Sequence, residues 1–222
     1  MHKRERRRLM IGVYDYTVLL TYLSTVSAVA GILLAAGGYE TPAVIILVVC
    51  GIIDMLDGPV ARTKKNRTDD EKNFGIQIDS LNDLISFGVL PAVIGYMNHP
   101  GITPEKLVYL LFPLCGLIRL AWYNVQEIRR QQETDERRKY FTGVPITTSS
   151  IVVPILFVLF RDILPDLAFY IVLTVCYAIL GFLYISRLRI RKPQKTGFII
   201  LLCLGIAAIV YFVLKLVFKH LV

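Results

Sequence analysis

CGIIDMLDGPVAR at residues 50–62 and FGIQIDSLNDLISFGV at residues 74–89 decide the fold. Both are apolar stretches of helical length, and both carry acids where a membrane helix has few. Asp54 and Asp57 are three residues apart, about 60° around a helix, and Asp79 and Asp83 are four apart, about 40°. Each pair therefore shares one helix face. The two stretches are joined by a polar loop rich in charge, so the helices run in opposite directions. Both acid pairs then lie at the same end, and two helices point four carboxylates at one spot.

Around this pair the chain reads as a series of membrane spans. It has 222 residues, 55% of them hydrophobic, and a mean hydropathy of +0.58. That is too apolar for an ordinary soluble domain. A span needs about 20 mostly apolar residues. Seven segments qualify: 17–37, 42–62, 75–97, 105–124, 145–161, 166–186 and 197–218. Residues 9–16 (LMIGVYDY) predict a short interfacial helix. No strand pattern, linker or internal repeat is visible. The expected fold is all-α: a polytopic transmembrane bundle of six core spans, an additional C-terminal span and the short N-terminal interfacial helix. Residues 1–16 form the basic N-terminus and interfacial segment, 17–190 the membrane domain, and 191–222 a basic loop with the added helix. The N-terminal basic run leads into a full-length span without a small-residue cleavage site, unlike a cleavable signal peptide.

Charge gives the orientation. The chain holds 25 Lys and Arg against 17 Asp and Glu, a net +8. Twenty of the 25 lie in residues 1–16, 62–74, 125–143 and 187–195. The alternate connections 38–41 and 98–104 hold none. The positive-inside rule puts the N-terminus, the basic loops and the acid pairs on the cytoplasmic side of the cell membrane, against anionic lipid. Basic residues spread between apolar spans do not form a nucleic-acid face.

The acids predict a metal site. Four carboxylates in a partly apolar cleft repel one another, and bound cations remove that cost. All-oxygen ligation suits Mg²⁺, Mn²⁺ or Ca²⁺. Two such ions suit a displacement at phosphorus. The bland alternative is a set of helix-end aspartates facing water. Histidines at 2, 99 and 220 and single cysteines at 50, 115, 176 and 203 offer neither zinc-site spacing nor a disulfide framework. Gly58, Ala61 and Gly75 let a phosphorylated ligand approach the backbone, or simply let helices pack closely. Arg62 suits a phosphate or a lipid headgroup equally.

Taken together, Asp54-x-x-Asp57-Gly58-x-x-Ala61-Arg62 and Gly75-x-x-x-Asp79-x-x-x-Asp83 resemble the signature of the CDP-alcohol phosphotransferase family. The gap of twelve residues between Arg62 and Gly75 is longer than the usual pattern, which is cheap in loop entropy. GIQIDSLNDLISFGVLPA (75–92), IRLAWYNV (118–125) and YFTGVPITTSS (140–150) resemble the serine-using branch. The first span departs, with Ser24 and Ala28 where an Asn and a Gly are expected. The resemblance covers roughly residues 15–190. It implies CDP-diacylglycerol as donor, L-serine as acceptor, two Mg²⁺ or Mn²⁺ ions and a homodimer. It also implies that Asp54, Asp57, Asp79 and Asp83 bind metal, that Asp83 is the general base, and that Gly58, Ala61, Arg62 and Gly75 bind the nucleotide. Arg119, alone inside the fourth span, is expected to face the cleft and bind the serine carboxylate or a lipid phosphate, the alternative being an internal ion pair. Asn124, Lys139 and Tyr140 are weaker candidates. Glycerol 3-phosphate or an inositol phosphate as acceptor, or an archaeal-type lipid donor, would leave the same signature. An ion-coupled transporter is the alternative from another class, but matched halves with broken helices are missing.

Overall fold

The computed structural model describes residues 11–98, 103–133, 140–191 and 195–219. Among these the chain is a helical bundle: α1 (Tyr16–Ala36), α2 (Glu40–Ala61), α3 (Asp69–Asp83), α4 (Leu90–Asn98), α5 (Leu107–Glu133), α6 (Ser149–Phe160), α7 (Asp166–Ile185) and α8 (Lys195–Lys219). A π-helical turn, Leu84–Val89, joins α3 to α4, so that Asp69–Asn98 runs as one long helix. Among the described residues, five helices are long and apolar enough to cross a membrane. Ile146–Phe160 and Cys203–Val217, the latter inside α8, are apolar but shorter. The chain is a multi-pass membrane protein, and its helices follow the seven expected segments.

Local chemistry sets the ends of the helices around the site. Asp15 caps α1, accepting from Thr17 N at 2.9 Å. Gly38, at φ 84°, turns the chain from α1 into α2. Pro59 sits in the last turn of α2, which stops at Ala61. Thr68 and Glu71 form a capping box that starts α3. Each cap stabilises its helix by about 1 kcal/mol.

The interior is built from small residues and interlocking aromatics. Ala28 and Ala35 of α1 and Ala43 and Val44 of α2 are buried, which lets these antiparallel neighbours pack closely. Gly51 of α2 lies directly against Ser150 of α6. Tyr177 of α7 donates to Pro91 O at 2.6 Å, and Tyr184 donates to Ile146 O at 2.9 Å. Leu19, Leu23 and Val26 of α1, and Ile171, Val175 and Phe182 of α7, are exposed. Such apolar outer faces suit hydrocarbon, not water. The additional helix α8 packs against α2 and α6.

Two expectations need correction. Residues 11–15 are not helical, and residues 9 and 10 lie outside the described residues. Gly12, at φ 112°, takes a conformation that interrupts a helix. A short antiparallel ribbon also exists: β1 (Tyr140–Thr142) pairs with β2 (Arg189–Arg191). Three-residue strands are too brief to show alternation in sequence.

Candidate active site

The four aspartates converge. Asp54 and Asp57 occupy the last two turns of α2, and Asp79 and Asp83 the last two of α3. Carboxylate oxygens of Asp54, Asp57 and Asp79 all lie within 4.8 Å of one another. Asp83 contacts Asp54, and its Oδ1 is buried without a hydrogen-bond partner. The water-facing alternative therefore fails for Asp83. Three clustered carboxylates plus a buried oxygen in need of a positive or donor partner form a donor set that fits a hard divalent cation.

A polar network between helices fixes the rotation of α3. Asn82 is 1% exposed, and its Oδ1 accepts from Thr25 Oγ1 at 2.9 Å and from Ser86 Oγ at 3.2 Å. Ser24 lies 3.5 Å from Ser86, so this departure from the family pattern serves helix packing. Such bonds between membrane helices contribute about 0.6 kcal/mol each. The wide π turn begins immediately after Asp83, a placement typical of functional sites.

Among the described residues, spaces of three kinds adjoin the acids. A cleft of about 140 Å³ reaches Asp57 and Asp79 and is lined by Gly58, Ala61 and Gly75. Thr17, Thr21, Arg67 and Lys72 complete its wall. A second, of about 180 Å³, brings Asp54, Asp79 and Asp83 together with Arg119, Tyr123 and Thr147. The third is an apolar groove of about 90 Å³ between α2, α6 and α8, which runs along Gly51, Ile151, Leu204 and Gly205 to Asp54.

Arg119 is brought to the acids as expected, and it is 7% exposed. Gly143, at φ 75°, makes room for it: a Cβ there would stand 2.8 Å from Arg119 Nη1. Arg62 is exposed and is not among the residues lining the cleft that holds Gly58 and Gly75. Asn124 instead joins α5 to α3 through Ser80, at 3.0 Å. Lys139 lies outside the described residues, and Tyr140 begins β1.

Arg67, Lys72, Thr17, Thr21, Tyr123 and Thr147 were not singled out by sequence reasoning. Arg67 and Lys72 registered only as loop charge. The capping box at Thr68 was the available signal, because it places Arg67 at the mouth of α3.

The loop before α3 is stapled to α1. Lys64 Nζ lies 2.6 Å from Asp15 Oδ2 and 3.1 Å from Glu71 Oε2. Burial pushes the Asp15 carboxyl up, but the bonds from Lys64 and Thr17 outweigh it and hold the group at about 2.

The molecule is thus a bundle of membrane helices with a half-buried acid cluster between two polar clefts. The model of the CDP-alcohol phosphatidyltransferase family matches residues 16–219. A CDP-diacylglycerol–serine O-phosphatidyltransferase of Methanocaldococcus jannaschii is 30% identical over 213 residues, covering 94% of this chain and 90% of that protein. The protein of the same name from Saccharomyces cerevisiae is 34% identical, over 61% of this chain and 49% of its own length. The archaetidylserine synthase of Methanothermobacter thermautotrophicus is 36% identical, over 61% and 54%. The chain thus spans about half of the latter two. It belongs to the CDP-alcohol phosphatidyltransferase family and is a transferase of phospholipid synthesis.

Proposed function

We propose that this chain is a phosphatidylserine synthase, which joins L-serine to the phosphatidyl group of CDP-diacylglycerol and releases CMP. The observation that carries this is the meeting of the acid cluster with Arg119 in one cleft, supported by relatives named for that activity. Asp54, Asp57, Asp79 and Asp83 would hold Mg²⁺ or Mn²⁺, two ions in all, which supply charge neutralisation for the pyrophosphate and the leaving CMP.

The chain's own groups do the rest. Gly58, Ala61 and Gly75 leave backbone-level space for the cytidine nucleotide beside Asp57 and Asp79. The apolar groove along α8 takes an acyl chain while the pyrophosphate sits at Asp54. Arg119 binds the serine carboxylate. The exposed Arg62 reaches a phosphate from outside the cleft. Asn124 holds α5 on α3, and with it Arg119. Asp83 takes the proton of the serine hydroxyl. That oxygen attacks the phosphorus bearing diacylglycerol, and the bond from this phosphorus to the bridging oxygen breaks, so the oxygen departs on CMP.

The basic loops put this site at the cytoplasmic face of the cell membrane. Residues 17–190 form the catalytic unit, flanked by the basic N-terminus and by α8, and the working form is a homodimer. The archaetidylserine synthase relative supports a second reading, in which the donor carries archaeal lipid chains.

The test offers purified protein CDP-diacylglycerol or CDP-archaeol with Mn²⁺ or Mg²⁺, and serine, glycerol 3-phosphate or inositol phosphate in turn. Serine-dependent CMP release supports the proposal. Release with another acceptor alone removes serine, and release with none removes the enzyme reading.

A further inference from the structure

We infer that Arg67, in the long loop between α2 and α3, is a nucleotide-reading residue. It donates its Nε–H to an oxygen acceptor on the bound cytidine nucleotide, one helical turn outside the acids. This role rests on the nucleotide reading of the cleft under Proposed function.

The guanidinium is built into the cleft wall. Its Nη2 donates to Glu71 O at 3.0 Å, which ties the side chain down over the first turn of α3. The group crosses above Gly75: a Cβ on that residue would stand 2.6 Å from Nη2. Glycine here thus makes room for Arg67 as well as for ligand. Beyond this anchor, Nε is buried without a hydrogen-bond partner. Leaving a buried donor of a charged group unpaired is costly. The described residues offer it no acceptor, so one from outside the protein satisfies it.

The loop holds Arg67 in place before ligand arrives. Lys64 ties it to Asp15 and Glu71, and the capping box at Thr68 fixes the next residue. Gly75 precedes Asp79 by four residues, about 6 Å along the helix. A pyrophosphate that reaches from Asp54 to Asp57 and Asp79 therefore leaves its nucleoside-side phosphate, the ribose or the base beside Arg67. Both phosphate oxygen and the cytosine carbonyl supply the required acceptor. Lys65 is the natural control, since it lies in the same loop but is exposed.

The experiment measures binding of CDP, CMP and cytidine to full-length protein in detergent with Mg²⁺ by calorimetry. Arg67→Ala should weaken CDP by about tenfold or more, the worth of one charge-assisted bond, while Lys65→Ala stays within about twofold. Equal weakening for cytidine and CDP places the acceptor on the nucleoside. Weakening confined to CDP and CMP places it on phosphate. Either result supports the inference. In turnover, KM for the CDP-lipid should rise with kcat little changed, as for binding made equally in ground and transition states. If Arg67→Ala does not fold, Arg67→Lys carries the test, because it keeps the charge but lacks Nε. CDP binding within about twofold of wild type in the folded variant overturns the role. Wild-type protein that binds no CDP overturns both this role and the nucleotide reading beneath it.

Discussion

Asp83→Asn separates proton removal from the site's other tasks. Asparagine keeps the shape of aspartate, and Asp83 Oδ1 has no protein hydrogen bond to lose. The fold should therefore survive. The substitution removes one carboxyl group from a cluster that also holds Asp54, Asp57 and Asp79, so like-charge repulsion does not rise. The variant's melting temperature in chelator should equal or exceed that of wild type. Catalysis should suffer instead. Loss of a positioned general base removes about 10²- to 10⁴-fold in rate, about 3–5 kcal/mol of barrier. The assay is single-turnover CMP release at saturating serine, with CDP affinity measured on the same preparation. Turnover lowered by that factor with CDP affinity within a few-fold is the expected result. Turnover within about tenfold of wild type would refute Asp83 as the base. Joint collapse of affinity and melting temperature would show a structural ligand instead.

Gly51→Leu should cost about 1–3 kcal/mol, since even a Cβ there lies 2.9 Å from Ser150 Cβ. A lowered thermal midpoint, with activity lost as α2 shifts Asp54, checks this. Lys64→Met should flatten the acid end of the stability profile. Asp15 is held at about 2, below its ordinary 3.8, so its contribution is full above 3.8 and lost as pH falls towards 2. Melting curves across that window should fall more steeply for wild type than for the variant. Exhaustive chelation should abolish CMP release, and Mg²⁺ or Mn²⁺ should restore it; full activity after chelation would contradict the acid site.

Helix count, acid spacing and the convergence of Asp54, Asp57, Asp79 and Asp83 were legible because each is a short-range property. Apolar runs of span length and offsets of three or four residues translate directly into helices and faces. Arg119 was legible too, because a lone cation within a span needs a partner. Other features depend on pairing across distance. The ribbon of Tyr140–Thr142 with Arg189–Arg191 is too short for a pattern. The bond between Asn124 and Ser80, 44 residues away, has no local pattern to announce it. Arg67 and Lys72 looked like topology charges, but the capping box at Thr68 sets Arg67 over Gly75 and starts the helix that carries Lys72 to the cleft. The exposure of Arg62, one residue beyond the end of α2, could not be told from a snorkelling arginine. Ser24, a departure from the family pattern, found its role only when Ser86 appeared beside it.

Isotope tracing tests most directly which bond the site makes. Serine labelled with ¹⁸O in its hydroxyl is supplied with CDP-diacylglycerol and Mn²⁺, and the products are weighed by mass spectrometry. Attack on the lipid-linked phosphorus predicts that phosphatidylserine retains the label and that CMP is unlabelled. Labelled cytidylyl-serine with free phosphatidic acid would place the attack on the other phosphorus and contradict the account.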